Sequence, residues 1–289
     1  MAALLAAGAF GTAGGLLRSR YERDHFVVEE TEIVSPKIKR EWKLVFLTDM
    51  HDKEFGDGNR RFLDALAKLS PDAVLIGGDM MIAKPGKARL AATRRLLDGV
   101  CHLEGHPPVF YADGNHEQRM RREREQYGTV YQEFVRLLKE YQVSYLADCT
   151  GMLGEDIAVS GLQIEQNYYK NFIPEQMEED YIKQHLGAAD SERFQILLAH
   201  SPLFLEAYAA WGADLTLAGH FHGGTIRIPG LGGVMTPQFQ FFLPYCAGTF
   251  ERDGRRMIVG RGLGTHSINL RVGNKPQVVV VRLKPQTIF

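Results

Sequence analysis

Five of the ten histidines in the chain lie in short polar fragments separated by long intervals, and the same fragments carry two aspartates and an asparagine. First-row transition metals accept imidazole, carboxylate and amide ligands together, so this assortment is typical of a hydrolytic site with two metal ions. Because the fragments are far apart in the sequence, their side chains would come from several loops of a preformed pocket. The fragments are Asp49-Met-His51, Gly78-Asp79, Gly114-Asn-His-Glu117, His200 and Gly219-His-Phe-His222.

Short apolar runs precede these fragments, and their length and composition predict buried strands. Helical patterns lie at Arg60 to Leu69, Ala88 to Val100 and Tyr127 to Tyr141. Strands that alternate with helices predict a parallel sheet, with a site at its carboxyl edge. The portion after Gly224 indicates a β-rich closing layer. The predicted strands are Lys43 to Thr48, Ala73 to Gly77, Pro108 to Tyr111, Ile157 to Ile164, Gln195 to Ala199, Asp214 to Ala218, Arg256 to Val259 and Val278 to Leu283.

The two aspartate fragments allow a structural interpretation as well as a chemical one. Asp49 and His51 stand two residues apart after a predicted strand, so both can face one cation, but Asp and His also serve turns and helix caps there. Asp79 follows two glycines that would let the backbone and a metal approach closely, although a simple turn is the alternative. A carboxylate has two oxygens, so Asp79 can bridge two cations at the roughly 3.5 to 4 Å separation of binuclear hydrolases.

The asparagine and the other histidines leave a similar choice open. Asn115 can offer a carbonyl oxygen to a metal while His116 points toward a substrate, or the pair can form a turn with a surface histidine. His200 ends a predicted strand, where a solitary histidine is more often structural. His220 and His222 stand two residues apart in an extended segment, which puts both imidazoles on the same side. Every one of these candidate ligands follows an apolar run. This shared position favours a common metal site over a chance distribution of polar residues.

The bulk composition describes an ordinary globular protein. With 289 residues, 45% of them hydrophobic, the chain can bury a full core, and one large domain is expected. The 34 Lys and Arg against 35 Asp and Glu give a formal charge of −1, so no global positive charge argues for nucleic acid. Cys101, Cys149 and Cys246 form neither a CxxC pair nor a disulfide framework, and we expect them to be buried apolar residues.

The first segment differs from the rest because Ala2 to Leu17 carries no charge and is rich in Ala, Leu and Gly. We interpret residues 1–24 as a membrane anchor that precedes a main domain of residues 25–289. The uncharged stretch is shorter than the roughly 20 residues of a full span, and a cleavable signal would need a basic start. An apolar helix packed on the domain and a misplaced start codon are the alternatives. Arg18, Arg20 and Arg23 after the stretch favour a cytoplasmic domain.

For two further stretches, the sequence allows either a structural role or a role in substrate binding. Four arginines interleaved with glutamates predict a solvated helix face with internal ion pairs, and the alternative is a grip on a second anionic group of the substrate. Phe239 to Tyr245 either closes the core or forms an apolar wall for a lipid-bearing substrate. The four arginines are Arg119, Arg121, Arg122 and Arg124.

The order DxH, GD, GNHE, H, GHxH resembles the calcineurin-like metallophosphoesterase superfamily, and the likeness covers about Lys43 to Leu283. The tail is similar to the bacterial membrane-associated branch of that superfamily at Arg261-Gly-Leu-Gly-Thr265 and Leu270-Arg-Val-Gly-Asn-Lys-Pro276. The resemblance implies an α/β fold, the four-layer metallophosphoesterase-type α/β/β/α sandwich in which two packed mixed sheets are flanked by helices. Residues 25–289 would then be a calcineurin-like phosphoesterase domain.

The resemblance also implies a role for each candidate residue. His116 would be catalytic rather than a ligand, and Asp79 would bridge the two metal ions. The ligands of one metal would be Asp49, His51, Asp79 and His222, and those of the other would be Asp79, Asn115, His200 and His220.

In three respects the sequence departs from the pattern of the superfamily, which limits the functional roles that the resemblance implies. Ile82 stands where the superfamily often has a second acid, and Thr225 stands where glutamine is common. Neither departure removes a predicted metal ligand. The Asp-Arg-Gly sequence that serine/threonine phosphoprotein phosphatases carry after the position of Asp79 is absent, which argues against protein dephosphorylation.

These roles predict an enzyme, a metal-dependent phosphoric ester hydrolase. Two divalent ions (Mn, Fe, Zn or Co) would lower the pKa of a bridging water, and the hydroxide would attack a phosphodiester or pyrophosphate bond while His116 protonates or stabilises the leaving oxygen. The expected partner is a phosphate-ester substrate, with a lipid-linked one attractive at a membrane surface, and no protein partner is predicted. The alternatives are a nuclease or cyclic-nucleotide phosphodiesterase and a non-catalytic metal-bound scaffold.

Overall fold

The computed structural model describes residues 14–169, 175–178, 180–236, 240–265 and 268–286. Within these residues, two six-stranded mixed sheets pack face to face and helices cover both outer sides. This arrangement confirms the predicted α/β/β/α sandwich. The first 13 residues of the expected membrane anchor and Phe239 of the aromatic stretch lie outside the described residues.

The strands among the described residues alternate with helices through the first half of the chain, as the apolar runs predict. The helices are α1 (14–24), α2 (Arg60–Leu69), α3 (Ala91–Cys101), α4 (Asn115–Arg122), α5 (Arg124–Tyr127), α6 (Val130–Glu140), α7 (Tyr181–Leu186) and α8 (Leu205–Trp211). The strands are β1 (Val27–Ser35), β2 (Trp42–Leu47), β3 (Ala73–Ile76), β4 (Val109–Tyr111), β5 (Ser144–Tyr145), β6 (Cys149–Leu153), β7 (Ile157–Leu162), β8 (Phe194–Ala199), β9 (Leu215–Ala218), β10 (Arg227–Ile228), β11 (Gly232–Gly233), β12 (Gly248–Arg252), β13 (Arg255–Val259) and β14 (Gln277–Pro285).

The two large sheets share a common plan in which parallel strands lie at the centre. The first sheet has the order β1-β14-β2-β3-β4-β5, and its β2, β3 and β4 are parallel neighbours. The second sheet has the order β12-β13-β9-β8-β7-β6, and its β7, β8 and β9 are also parallel. Parallel strands carry their carboxyl ends at the same edge, so each sheet gathers the loops that follow these strands.

The core lies in three layers, which follow from the period-two alternation of the strands. In β2, Leu44 and Phe46 face the second sheet, while Val45 and Leu47 face the helices α2 and α3. Leu197 in β8 correspondingly faces the helices of the opposite side. All of these side chains are buried, because strands covered on both faces need apolar residues at every position.

Strands β10 and β11 form a separate two-stranded sheet, but the longer strands after Gly224 join the two large sheets, so the prediction of a closing layer is wrong for them. Strands β12 and β13 extend the second sheet, and β14 inserts between β1 and β2 of the first sheet. The four valines from Val278 to Val281 are buried, which requires an internal strand rather than a covering one. The helix predicted for Tyr127 to Tyr141 is interrupted, because Gly128 has a φ of 58° between α5 and α6.

Two expectations about buried residues are also corrected. Phe241 and Phe242 are 59% and 60% exposed, so core closure is wrong for these two side chains. Cys246 is buried and Cys101 is partly buried, but Cys149 is exposed because it begins the edge strand β6.

Helix α1 is packed on the domain in its described part. Ser19 and Glu22 are buried, whereas Leu16, Leu17 and Tyr21 are exposed. Among the described residues, no helix is both long enough and apolar enough to cross a membrane.

Candidate metal centre

All seven candidate ligands and His116 follow central strands of the two sheets. The first sheet supplies Asp49 and His51 after β2, Asp79 after β3, and Asn115 and His116 after β4; the second supplies His200 after β8 and His220 and His222 after β9. The two carboxyl edges meet because the sheets pack face to face. The structure therefore brings together every residue that the sequence singles out for the site.

Ligand atoms of the aspartates and histidines lie in three groups, within 4.8 Å of one another in each group. The groups are Asp49 with His51 and His222, Asp79 with His200 and His220, and His51 with Asp79 and His116. The first two correspond to the two ligand sets that the resemblance implies, while proximity alone does not separate His116 from the ligands.

Asp79 has the geometry of a residue shared by both sets. Its Oδ1 accepts a hydrogen bond from the His116 backbone N–H at 2.8 Å. Its Oδ2 lies 3.2 Å from His200 Nε2 and 3.8 Å from His51 Nε2. A single oxygen, Oδ2, therefore faces ligands of both sets, which differs from the bridge through two oxygens that the sequence suggests.

Five of the seven candidate ligands have left-handed backbone conformations, with φ between 46° and 70°. A non-glycine residue at positive φ is uncommon, although Asp and His tolerate it better than most, and each costs on the order of 1–3 kcal/mol. Such strain persists only where the surrounding structure holds it, and here it lies where the chain leaves each strand. The five residues are Asp49, His51, Asp79, His220 and His222.

Gly219 allows the two sheets to meet at Asp49. A Cβ at this position would collide with Asp49 Oδ2 and with the Thr48 hydroxyl. The close approach lets the backbone N–H of His220 donate to both carboxylate oxygens of Asp49, at 3.1 and 3.0 Å, while Thr48 Oγ1 donates to Oδ2 at 2.8 Å. Asp49 is therefore held by both sheets before any cation binds.

The tautomers of His200 and His222 are fixed by backbone carbonyls. His200 Nδ1 donates to Gly77 O at 2.8 Å, and His222 Nδ1 donates to Gly264 O at 3.2 Å. A carbonyl oxygen can only accept, so Nδ1 carries the proton and Nε2 is turned toward the carboxylates. This is the usual arrangement of a histidine that binds a metal through Nε2.

His116 has the opposite arrangement. The backbone N–H of Ala83 donates to His116 Nδ1 at 2.8 Å, so in the neutral ring the proton is on Nε2. That nitrogen lies 4.0 Å from Asp79 Oδ2. A protonated nitrogen cannot ligate a metal but can donate a hydrogen bond, so His116 differs chemically from His200 and His222 in the way that the resemblance implies.

Asn115 provides a direct indication that a cation fits the site. Its Oδ1 is buried and has no hydrogen-bond partner among the described residues. A buried acceptor without a partner costs about 1–3 kcal/mol, and such groups need an explanation when they occur. A buried amide oxygen on the residue that precedes His116 is a suitable ligand for a first-row divalent metal.

Burial and charge shift the pKa values of the central groups strongly. Burial raises the pKa of Asp49 to about 6, against the opposing charge of His200. Burial acts in the same direction on Asp79, but the imidazoles of His200 and His116 hold its pKa well below the usual range. Burial lowers the pKa of His200, but the charges of Asp79 and Asp49 raise it to about 10. The buried carboxylates thus attract positive charge strongly.

Glu117 is a functional side chain that the sequence analysis left without a role. Its carboxylate accepts hydrogen bonds from the backbone N–H groups of Asp79 (2.8 Å), Met80 (2.9 Å) and Gly114 (3.0 Å), and from Tyr111 OH (2.9 Å). It therefore ties the loop after β3 to the loop after β4. The signal was present, because Glu117 occupies the third position of α4, where a capping-box glutamate belongs.

A cleft of about 340 Å³ opens beside His51. Arg23 of α1, Lys53 and the buried Arg271 contribute positive charge to its lining, and Ile82 contributes an apolar side chain. Ile82 is the residue that stands where related proteins often have an acid, so the cleft lacks that negative charge. Of the four arginines after His116, Arg121 donates to Gln163 Oε1 at 2.5 Å, and the choice between a solvated face and a phosphate grip stays open.

Comparison with known proteins places these residues in a family context. The family model for the calcineurin-like phosphoesterases matches residues 43–224. The chain is 27% identical to the metallophosphoesterase YkuE of Bacillus subtilis, over 97% of this chain and 93% of the relative. It is 26% identical to the phosphodiesterase YaeI of Escherichia coli, over 84% and 82%. It is also 26% identical to a metallophosphoesterase of Helicobacter pylori, over 90% of this chain but only 64% of that relative.

Proposed function

The chain belongs to the calcineurin-like phosphoesterase family of metal-dependent hydrolases, and we propose that it cleaves a phosphodiester or pyrophosphate bond with two divalent metal ions. The observation that carries this proposal is the convergence of the candidate ligands from both sheets, where Asp79 Oδ2 faces His200 of one proposed set and His51 of the other. Ligands with oxygen and imidazole nitrogen suit Mn, Fe, Zn or Co.

Each ligand set would hold one cation. Asp49, His51 and His222 would bind the first and Asn115, His200 and His220 the second, with Asp79 Oδ2 shared between them. When bound, the two ions supply an acidified water and positive charge for the phosphoryl oxygens. The protein supplies orientation, since Thr48, Gly77 and Gly264 fix the carboxylate and imidazole groups by hydrogen bonds.

His116 would act on the leaving oxygen of the ester. The Ala83 N–H donates to Nδ1, so the proton of the neutral ring is on Nε2. A neutral His116 donates a hydrogen bond from Nε2 to the charge that develops on the leaving oxygen. Of the two roles that the sequence allows, protonation or stabilisation, this geometry favours stabilisation.

A diester or pyrophosphate substrate suits the surroundings of the site better than a simple monoester. The cleft of about 340 Å³ beside His51 gives room for a second substituent on the phosphorus. The similar Escherichia coli protein is named a phosphodiesterase, which supports the same class of substrate.

We also propose that the enzyme works at a membrane surface on a lipid-linked substrate. The supporting observation is the outer face of α1, where Leu17 is 72% exposed beside Leu16 and Tyr21. Apolar and aromatic side chains next to basic ones are typical of helices that lie in a membrane interface. Sedimentation of the full chain with vesicles containing anionic lipid tests this, and an equal distribution with and without vesicles would reject it.

The activity is tested with the purified full chain, supplied with Mn, Zn or Fe, on bis(p-nitrophenyl) phosphate and p-nitrophenyl phosphate. We expect metal-dependent hydrolysis, with the diester preferred. Preference for the monoester would reject the diesterase assignment. Two bound metals without turnover of either compound would support the scaffold alternative.

A further inference from the structure

The buried face of α1 contacts the loop between strands β13 and β14. Ser19 and Glu22 are three residues apart, so they lie on the same side of the helix, and they are only 2% and 1% exposed. Ser19 Oγ accepts a hydrogen bond from the backbone N–H of Arg271 at 3.0 Å. Glu22 Oε2 accepts one from the backbone N–H of Asn274 at 2.8 Å. The helix is thus bonded to residues about 250 positions away.

Arg271 continues this connection to the imidazole of His222. Its guanidinium is fully buried, and Nε and Nη2 donate to Gly264 O at 3.1 and 2.5 Å. Nη2 also donates to Arg261 O at 2.8 Å. Gly264 O is the same carbonyl that accepts from His222 Nδ1. The position of this carbonyl sets the direction of His222 Nε2, so Arg271 controls the ligand through it.

Asn274 holds the backbone of the same ligand. Its Nδ2 donates to His222 O at 2.8 Å and to Gly224 O. His222 has a strained φ of 51°, so the carbonyl contact helps to maintain a conformation that the residue would otherwise leave. Both the main chain and the ring of His222 are therefore fixed by residues that α1 holds in place.

A buried guanidinium is expensive unless all its donors find acceptors, and here backbone carbonyls provide them. Through these donations Arg271 holds together the loop whose Gly264 carbonyl contacts His222, and an apolar side chain at position 271 would leave those carbonyls without these donors.

We propose that α1 positions His222 for its metal ion through two hydrogen-bonded connections, Ser19 to Arg271 and Glu22 to Asn274. Helix α1 then contributes to the metal centre, because it holds the residues that position one of the ligands. This inference rests on the proposed role of His222 as a ligand. Ser19, Glu22, Arg271 and Asn274 are positioning residues, since none of them touches the reacting atoms.

The experiment compares full-length Ser19→Ala, Glu22→Ala and the double variant with Arg20→Ala, which alters an exposed residue of the same helix. Mn²⁺ affinity is measured by competition with a chelator, and electron paramagnetic resonance distinguishes a coupled pair from an isolated ion. Loss of an outer contact typically weakens metal binding about 10- to 100-fold. We expect this loss for one of the two ions in the double variant, with an isolated Mn²⁺ signal.

Each outcome has a distinct meaning. Unchanged affinity for both ions in the double variant, or the same loss in Arg20→Ala, would overturn the inference. Equal weakening of both ions together with a lower melting temperature would indicate a general loss of structure and would also overturn it. Glu22→Gln keeps an acceptor for Asn274 and should bind both ions nearly as the wild type does. A wild-type protein that binds fewer than two ions would instead contradict the proposed function.

The cleft beside His51 carries a second inference from a different observation. Arg23 and Lys53 lie on its lining with the buried Arg271, and none of the described lining residues is a carboxylate. Asp24 pairs with Lys53 at 2.6 Å and also lies near Arg23, while Asp49 and Glu22 lie near Arg271, so these carboxylates offset part of the positive charge of the lining. Because His51, a predicted metal ligand, lines the cleft, an anion bound in it would lie next to the proposed metal centre.

We infer that this cleft binds a second anionic group of the substrate, such as the distal phosphate of a pyrophosphate. This rests on the proposed function and is tested by calorimetry on the metal-loaded protein with inorganic phosphate and with pyrophosphate. We expect Arg23→Ala to weaken pyrophosphate binding about tenfold and phosphate binding far less. Ile82→Asp should act in the same direction through charge repulsion.

The matched control is again Arg20→Ala, which should bind both anions as the wild type does. Equal loss of phosphate and pyrophosphate binding in Arg23→Ala, or no loss of either, would overturn the assignment of the cleft. Failure of the wild type to bind phosphate at all would count against the proposed function instead.

Discussion

The carboxyl edges of the two sheets contribute chemically different groups to the site. The first sheet supplies both carboxylates, Asp49 and Asp79, and the amide of Asn115, together with His51 and His116. The second sheet supplies histidines alone. The negative charge that attracts cations therefore comes from one sheet, while the other adds imidazoles, and carbonyl contacts place a proton on Nδ1 of His200 and His222.

This difference shows that neither sheet forms the site alone. The first sheet has the charge but lacks enough ligands to surround two ions. The Asp49 carboxylate and the His220 N–H join the two edges, and Gly219 makes room for that contact. Substitutions in the two sheets should therefore have unequal effects on metal binding, and substitutions at the junction should affect the stability of the fold.

The largest effect is expected from the shared carboxylate. Asp79→Ala removes the oxygen that faces both ligand sets, so the protein should lose both metal ions and all detectable hydrolysis. His220→Ala, in the second sheet, removes a ligand of one set and should retain one ion. Metal content by elemental analysis separates the two variants. Retention of two ions in Asp79→Ala would contradict the shared role.

Loss of His116 should reduce turnover without loss of metal. The side chain is predicted to donate a hydrogen bond to the leaving oxygen, a contribution typically worth about 10²- to 10³-fold in rate. His116→Ala should therefore lower kcat by that order while two ions per chain remain bound. If metal content fell in parallel with kcat, His116 would be a ligand and the tautomer argument would be wrong.

At the junction, Gly219→Ala should destabilise the fold by about 1–3 kcal/mol, because the added Cβ forces Asp49 and Thr48 to move. Denaturant unfolding measures this change. Gly15→Ala in α1 adds a methyl group into open space and serves as the control. Equal stability of the two variants would mean that the sheets can separate at this point without cost.

The smallest effect is expected for Thr48→Val, which removes one hydrogen bond to Asp49 and should cost about 1 kcal/mol in unfolding free energy. Its effect on Mn²⁺ affinity should be larger than that of Thr150→Val. Thr150 lies in the edge strand β6, away from the candidate ligands, and this variant removes a hydroxyl contact with Ser160. Identical Mn²⁺ affinities in the two variants would show that the Thr48 contact supports the fold only.

The candidate site was predictable because its residues lie in short sequence fragments that can be recognised one by one. Each ligand follows an apolar run that forms a central strand, and parallel central strands deliver their ends to the same place. The four-layer fold was implied by resemblance and is confirmed. The roles of His116 and of the individual ligands stay predictions, which the different contacts of His116 and His222 support on physical grounds.

Strand β1 was missed because glutamates interrupt its apolar pattern. It lies at the edge of the first sheet, where Glu30 and Glu32 point outward and pair with Arg282 and Lys284 of β14 at 2.5 and 2.6 Å. These cross-strand pairs join residues about 250 positions apart, so no local pattern reveals them. The contacts of Ser19 with Arg271 were hidden from the sequence for the same reason.

The most direct test of the account is a crystal structure of the full chain with Mn²⁺, in which anomalous scattering locates the ions. We predict two peaks roughly 3.5 to 4 Å apart, with Asp79 Oδ2 between them and His116 Nε2 bound to neither. A single peak, or His116 Nε2 within bonding distance of an ion, would contradict the division between ligands and catalytic histidine on which the proposed function depends.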